Sequence, residues 1–359
     1  MAEPGEERIL NELRKVMDPD LHRDIVTLGF IKDLKISNGA VSFRIELTTP
    51  ACPVKDQLKR QAYEAVSAVP GVKKVEIEMS AAVRGEMHAG PLLTGVKNVI
   101  AVASGKGGVG KSTVSCNLAI ALAETGAKVG LLDSDIYGPT IPLMMGINEQ
   151  PVLTEDNKII PVERYGVGLM SLGFFLEEDK AVAWRGPMIG KFLQQVLGDV
   201  LWGDLDYLVV DLPPGTGDAP MSLAQMIPLT GVVVVMTPQD VASHIANKSI
   251  AMFRMMGEAT ERAIPILGVV ENMSGFCCPH CGEVTYLFNS GGGEKAAQRL
   301  GVPFLGKVPL DPNVCTGGDS GKPVILSAPA SAPAEAFRLI SGRIASQISI
   351  INSPKEMKK

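Results

Sequence analysis

The sequence predicts an α/β fold: a mostly parallel, doubly wound sheet, preceded by a small α+β domain. Three observations predict it. From residue 98 onward, the apolar runs NVIAVAS, KVGLLDSD, YLVVDLPP, GVVVVMTP, PILGVVEN and PFLGKVPL are spaced by helix-length segments. Near-continuous apolar strands of this kind suit a parallel sheet covered on both faces. A Gly-rich stretch, SGKGGVGKST, closes the first run and opens a helical segment. Ahead of these, residues 1 to about 80 alternate helix and strand patterns on a smaller scale, as a separate compact unit would.

In chain order, a helix is expected over residues 6–17. FIKDLKIS and AVSFRIEL then form a hairpin about Asn38-Gly39. VKDQLKRQAYEAVSAV has apolar residues at helical spacing, and VKKVEIEM closes the unit as a strand after the Pro70-Gly71 break. Residues 81–96 lack periodicity and carry Gly85, Gly90, Pro91 and Gly95, which marks a linker. The parallel-sheet domain is expected over 97–352, and 353–359 as a solvated tail.

Composition narrows the function classes. The 34 basic and 39 acidic residues give a net charge of -5, which argues against general affinity for nucleic acid or anionic membrane. Apolar runs such as GVVVVM fall far short of the ~20 residues that span a bilayer. The acidic start, MAEPGEERILNELRK, has neither the apolar core of a secretory signal nor the character of a transit peptide. A cytoplasmic protein with six reduced cysteines is the expectation.

Residues 104–113 contain G-x-x-x-x-G-K-[ST] as Gly105, Gly110, Lys111 and Ser112, directly between a strand and a helix. That context favours a phosphate cradle over a chance match. Glycines turn backbone N–H groups inward, Lys111 neutralises terminal phosphates and Ser112 can ligate Mg²⁺. Two further Asp- and Gly-rich loops follow strands, LLDSDIYGPT and DLPPGTGD. Taken alone, each also reads as an ordinary strand-end turn.

Lys106 adds a second lysine, giving K-G-G-x-G-K-[ST]. In this the sequence resembles the deviant Walker A ATPases, which include the nitrogenase iron protein and the MinD and ParA positioning ATPases. The resemblance implies a P-loop NTPase fold that binds ATP with Mg²⁺. It also implies a face-to-face homodimer in which Lys106 reaches the nucleotide of the other copy. Lys106, Lys111, Asp135 and Asp211 would be its catalytic set, with Asp135 orienting the attacking water and Asp211 reaching Mg²⁺ through water. Gly105, Lys106, Gly107, Gly108, Val109, Gly110, Lys111, Ser112 and Thr113 would cradle the phosphates. Gly215 would offer its N–H to the γ-phosphate, and Asn272 would bind the adenine edge, with Pro309, Leu310 and Asp311 as further candidates for the base pocket. A helix-capping role is the rival reading of Asn272.

Across residues 97 to 324 the cradle, WRGPM at 184 to 188, DLPPGTGD, TPQDVA, GVVENMS, CPHCG and VPLDP occur in one order. Together they resemble the Mrp/ApbC family of iron-sulfur cluster carriers. DPDLHRDIVTLGFI and LTTPACP are similar to the small iron-sulfur assembly domain often fused to that family. Where family members commonly carry Asp and Arg after TPQDVA, this chain has Ile245 and Asn247.

Cys278 and Cys281 have C-x-x-C spacing, half of the four ligands that a tetrahedral metal or a cluster usually takes. The dimer implied by the resemblance would bring two such pairs together around a [4Fe-4S] cluster. A zinc knuckle drawing on Cys277 and His280, or a redox disulfide, are the other readings. Cys52 stands just ahead of a helix, where the dipole favours a thiolate, and is a candidate relay thiol; a plain turn residue is the alternative. Cys116 reads as a buried filler and Cys315 as a loop thiol.

The resemblance implies an ATPase whose slow hydrolysis gates delivery of a [4Fe-4S] cluster to apo-proteins, working with cluster-assembly factors. A MinD/ParA-like positioning ATPase on membrane or DNA is one alternative, and an ATP-gated electron donor another. The first would not need Cys278 and Cys281 and would show a basic surface or a membrane helix.

Overall fold

The computed structural model describes residues 4–85, 92–135, 138–175, 194, 197–259, 263–278 and 280–353. The WRGPM segment lies outside them. The chain divides into two compact units, Met1–Arg84 with Ala345–Lys359, and Gly85–Ile344.

In the first unit, Asn38 and Gly39 take φ of 53° and 82°. Two consecutive positive values make the tight turn that matches hairpin twist. After α1 (Glu6–Leu13), this turn joins β1 (Ile31–Ser37) to β2 (Ala40–Leu47) antiparallel. β3 (Lys74–Ala81) adds parallel to β2, and the crossover that such pairing needs is α2 (Lys55–Ser67). Alternation along β2 buries Phe43 and Ile45 in a core shared with Ile9, Leu13 and Leu58. The first helix stops four residues short of its expected end. Asp18 accepts N–H bonds from Asp20 and Leu21, both 2.9 Å, so a side-chain turn replaces the helix. Met17–Asp18 then pairs with Arg23–Asp24.

The second unit is built on a nine-stranded sheet. Its strands are β4 (Val99–Ser104), β5 (Val129–Asp133), β6 (Val162–Arg164), β7 (Val167–Ser171), β8 (Tyr207–Asp211), β9 (Gly231–Met236), β10 (Ile266–Cys277), β11 (Val284–Thr285) and β12 (Phe304–Leu310). They run in the order β6-β7-β5-β8-β4-β9-β10-β11, with β12 also on β10. All pairings are parallel except β6 on β7 and β11 on β10. The expected mostly parallel sheet is therefore present, and the six apolar runs are β4, β5, β8, β9, β10 and β12.

The helices of this unit are α3 (Lys111–Glu124), α4 (Ile141–Met144), α5 (Asp218–Met226), α6 (Asp240–Ala259), α7 (Gly292–Leu300), α8 (Pro312–Asp319) and α9 (Val324–Ser327). α10 (Ala332–Ile351) follows, and its last turns belong to the first unit, where Ser346 Oγ donates to Asp20 Oδ2 at 2.6 Å. In α3 every residue from Val114 to Leu122 is buried, so the helix shows no polar stripe. β4 lies between β8 and β9, which sends successive crossovers to opposite sides and opens a crevice at the strands' carboxyl ends.

Candidate nucleotide site and surface cysteine pair

The loop between β4 and α3 fills that crevice. Gly108 and Gly110 take φ of 77° and 79°, a left-handed backbone that side chains disfavour. A Cβ on Gly110 would also overlap the Asn272 amide, and one on Gly105 would overlap Ile245. The turn brings Lys111 and Ser112 to the N-terminus of α3, where free N–H groups and the dipole favour anions. A cavity of about 550 Å³ opens there, lined by Gly107, Lys111, Thr113, Asp135, Asn272 and Leu310 among others. That volume is in the range of small-molecule sites.

Asp211, at the end of β8, is fully buried and organises the floor. Lys111 Nζ lies 2.6 Å from its Oδ2, Ser112 Oγ donates to the same oxygen at 2.7 Å, and Ser115 Oγ donates to Oδ1 at 2.6 Å. The Asp211 carbonyl accepts from both the N–H and the hydroxyl of Ser134. Lys111 also stands 4.0 Å from Asp135. Asp133, two residues before Asp135, accepts from the Asp135 N–H, Ser171 Oγ and the Ile141 N–H. Burial, then the charge of Asp211, pushes its carboxyl up to about 7.

Lys111, Asp135 and Asp211 thus come together at the ends of β4, β5 and β8, whereas Lys106, in the same loop, points its ammonium elsewhere. Lys106 Nζ donates to Gln239 Oε1 at 3.1 Å. Gly215 differs from expectation: its N–H is spent on the Ser104 carbonyl at 2.8 Å, which ties the loop after β8 to the P-loop strand. Asn272 lies within β10, so it caps no helix, and its amide donates to the Val109 carbonyl at 2.9 Å. Pro309, Leu310 and Asp311 also line the cavity.

Cys278 and Cys281 sit in the turn between β10 and β11. Gly282 N–H donates to the Cys278 carbonyl, and Cys278 N–H to that of Glu283. Cys281 is exposed and Cys278 partly so. The N–H groups of Cys281 and then His280 lower the Cys278 thiol below its ordinary value, which favours a thiolate ready for metal. Among the described residues, no three His, Cys, Asp or Glu side chains gather in a group able to hold a metal ion.

The family model for the NUBPL iron-transfer P-loop NTPase matches residues 95–345, and the model for an iron-sulfur cluster assembly protein matches residues 6–79. The chain belongs to the NUBPL-type P-loop NTPase family. An iron-sulfur cluster carrier protein of Synechocystis is 45% identical over 349 residues, 95% of this chain and 97% of its own. Another, from Deinococcus radiodurans, is 46% identical over 343 residues and 95% of each chain. The solved nucleotide-binding protein of Archaeoglobus fulgidus, in complex with ADP, is 38% identical with a TM-score of 0.57, covering 67% of this chain and 92% of its own. The cell division ATPase MinD of Pyrococcus furiosus shares the fold, with a TM-score of 0.53 and 23% identity over 69% of this chain and 98% of its own.

In this NTPase, two cysteines depart from their sequence readings. Cys52 lies before α2, but burial outweighs the helix dipole and pushes its thiol up to about 11, the reverse of a stabilised thiolate. Cys315 is on α8 and lines the nucleotide cavity, rather than lying in a loop. Sequence reasoning missed Ser115 and Gln239. A serine four residues after Lys111 on one helix was a usable indication for the first; Gln239 stood within the TPQDVA motif, but its contact with Lys106 joins positions 133 apart and could not be read from it. Ile245 packs on Gly105.

Proposed function

We propose that this NTPase is an ATP-dependent carrier of a [4Fe-4S] cluster, which two copies hold between their Cys278 and Cys281 pairs and deliver to apo-proteins. The observation that carries the reading is that β10 runs from Asn272, bonded to the P-loop, to Cys277 beside the cysteine turn. A change at the nucleotide has a short stretch of one strand, bulged between Asn272 and Phe276, through which to reach the thiols. The names of the full-length relatives, both iron-sulfur cluster carriers, support the same cargo.

In this reading ATP enters the cavity and its phosphates draw Lys111 away from Asp211. Ser112 and, through water, Asp211 then serve Mg²⁺, while Asp135 orients the attacking water. Lys106 crosses to the phosphates of the second copy, which makes dimerisation depend on ATP. The cluster is cargo, and hydrolysis loosens the interface that holds it. Cluster-assembly factors would load it, and neither nucleic acid nor membrane is a required partner. The apolar face of α10 is spent internally: Phe337, Ile340, Ile344 and Ile348 are at most 1% exposed. No described helix is long and apolar enough to cross a membrane.

Anaerobic reconstitution followed by native mass measurement, with and without ATP, tests the proposal. One cluster per two chains is expected, lost in Cys278→Ala. Zinc in place of iron, or a cluster on a single chain, would refute it.

A further inference from the structure

We propose that Gln239 is the resting clasp of Lys106, a positioning residue that must let the ammonium go before it can reach the nucleotide of a second copy. The inference rests on the trans role given to Lys106 above. It begins from strand order. Ser104, the last residue of β4, pairs with Val235 of β9, so the turn Thr237-Pro238-Gln239 lies beside the P-loop. There Gln239 Oε1 accepts from Lys106 Nζ at 3.1 Å and from Thr237 Oγ1 at 3.4 Å. Thr237 is buried, so one of the two donors that orient the amide is fixed.

The backbone under Lys106 is fixed as well. Ser104 Oγ donates to the Lys106 carbonyl at 3.0 Å, and Gly105 lies so close to Ile245 that no Cβ fits between them. Motion is therefore confined to the lysine side chain, a flexible stem with a compact charge at its tip. The two lysines of this loop are held differently. Lys111 rests on the buried carboxylate of Asp211, whereas Lys106 rests on a neutral amide. Both bonds have a charged donor, but only the one to Asp211 adds the attraction of an opposite charge, which at a buried site is the larger contribution. A neutral acceptor holds Lys106 in place yet releases it readily when phosphates of a second copy arrive.

A double-mutant cycle on the full chain tests this, reading the ATP concentration for half-maximal dimer formation by sedimentation and the turnover per dimer formed. Gln239→Glu keeps the shape and the acceptor but makes the clasp an ion pair, so that concentration is expected to rise roughly tenfold. Gln239→Met removes the acceptor and should lower it. Turnover per dimer is expected to stay unchanged in both. In Lys106→Ala, which should itself dimerise poorly, adding Gln239→Glu should change nothing further. A Gln239→Glu protein that dimerises like wild type while Lys106→Ala fails overturns the clasp alone, as does an equal Gln239→Glu effect in the Lys106→Ala background. A Lys106→Ala protein that dimerises normally overturns the trans role of Lys106, and the clasp with it.

Discussion

Asp133 is a carboxyl at 0% exposure whose pKa rises from 3.8 to about 7, through burial first and the charge of Asp211 second. Below pH 3.8 both the folded and the unfolded chain carry the proton, and the group contributes no penalty. Between there and about 7 the unfolded chain gives up its proton while the folded chain keeps it, so stability falls as pH rises until the folded group ionises too. Without nucleotide or Mg²⁺, the stability of wild type relative to Asp133→Asn is therefore expected to fall across this window, by on the order of a few kcal/mol. Denaturant titrations at pH 5 and pH 8 measure it, and parallel profiles for the two proteins would contradict the assignment. Cys52 allows a companion test. With its pKa at about 11, it should react with iodoacetamide at pH 8 about a hundredfold more slowly than an ordinary thiol, as read by mass spectrometry. An equal rate would mean that burial does not raise this thiol, and only a rate above that of an ordinary thiol would restore the thiolate reading. The cradle residues were legible in the sequence because their job is done by backbone shape within ten consecutive positions. The burial of Cys52 was not, since its desolvation comes from residues distant in sequence that pack over it.

At the scale of elements, the fit of β10 against the P-loop is the decisive contact. Gly110 has φ of 79°, and a Cβ there would overlap the Asn272 amide. Gly110→Ala therefore meets two obstacles, left-handed backbone strain of roughly 1–2 kcal/mol and a collision. Loss of ADP affinity by roughly tenfold or more is expected, measured by calorimetry. In an Asn272→Ala background the collision disappears and the strain remains, so the same glycine substitution should cost less. Equal losses in both backgrounds would mean that β10 does not press on the loop. Six of the strands in this sheet were legible because strands buried on both faces must be apolar throughout. β6 and β7 were not: β6 is three residues long, and β7 joins the sheet through β5, 38 positions earlier in the chain. The first helix was read too long because its apolar spacing continues past Leu13, while the Asp18 turn that ends it is a local competition with no periodicity.

At the scale of the whole molecule, the proposed half-sites make cluster content a question of counting. Each chain presents one C-x-x-C turn, and Cys278 and Cys281 do not line the nucleotide cavity. Cys278→Ala/Cys281→Ala should therefore keep ATP-dependent dimerisation and hydrolysis while losing iron. Mixing that variant with wild type in equal amounts, with subunits allowed to exchange before reconstitution, separates shared from private binding. If both copies must contribute thiolates, only dimers of two wild-type chains load, and cluster content falls to about one quarter of the pure wild-type value for random isologous pairing. If each chain encloses a cluster by itself, content falls to about one half. The ATPase rate should be the same across the mixing series, which shows that the cradle has not been disturbed. An iron content that declines in direct proportion to the wild-type fraction would remove the bridging site and leave a nucleotide switch with no shared cargo.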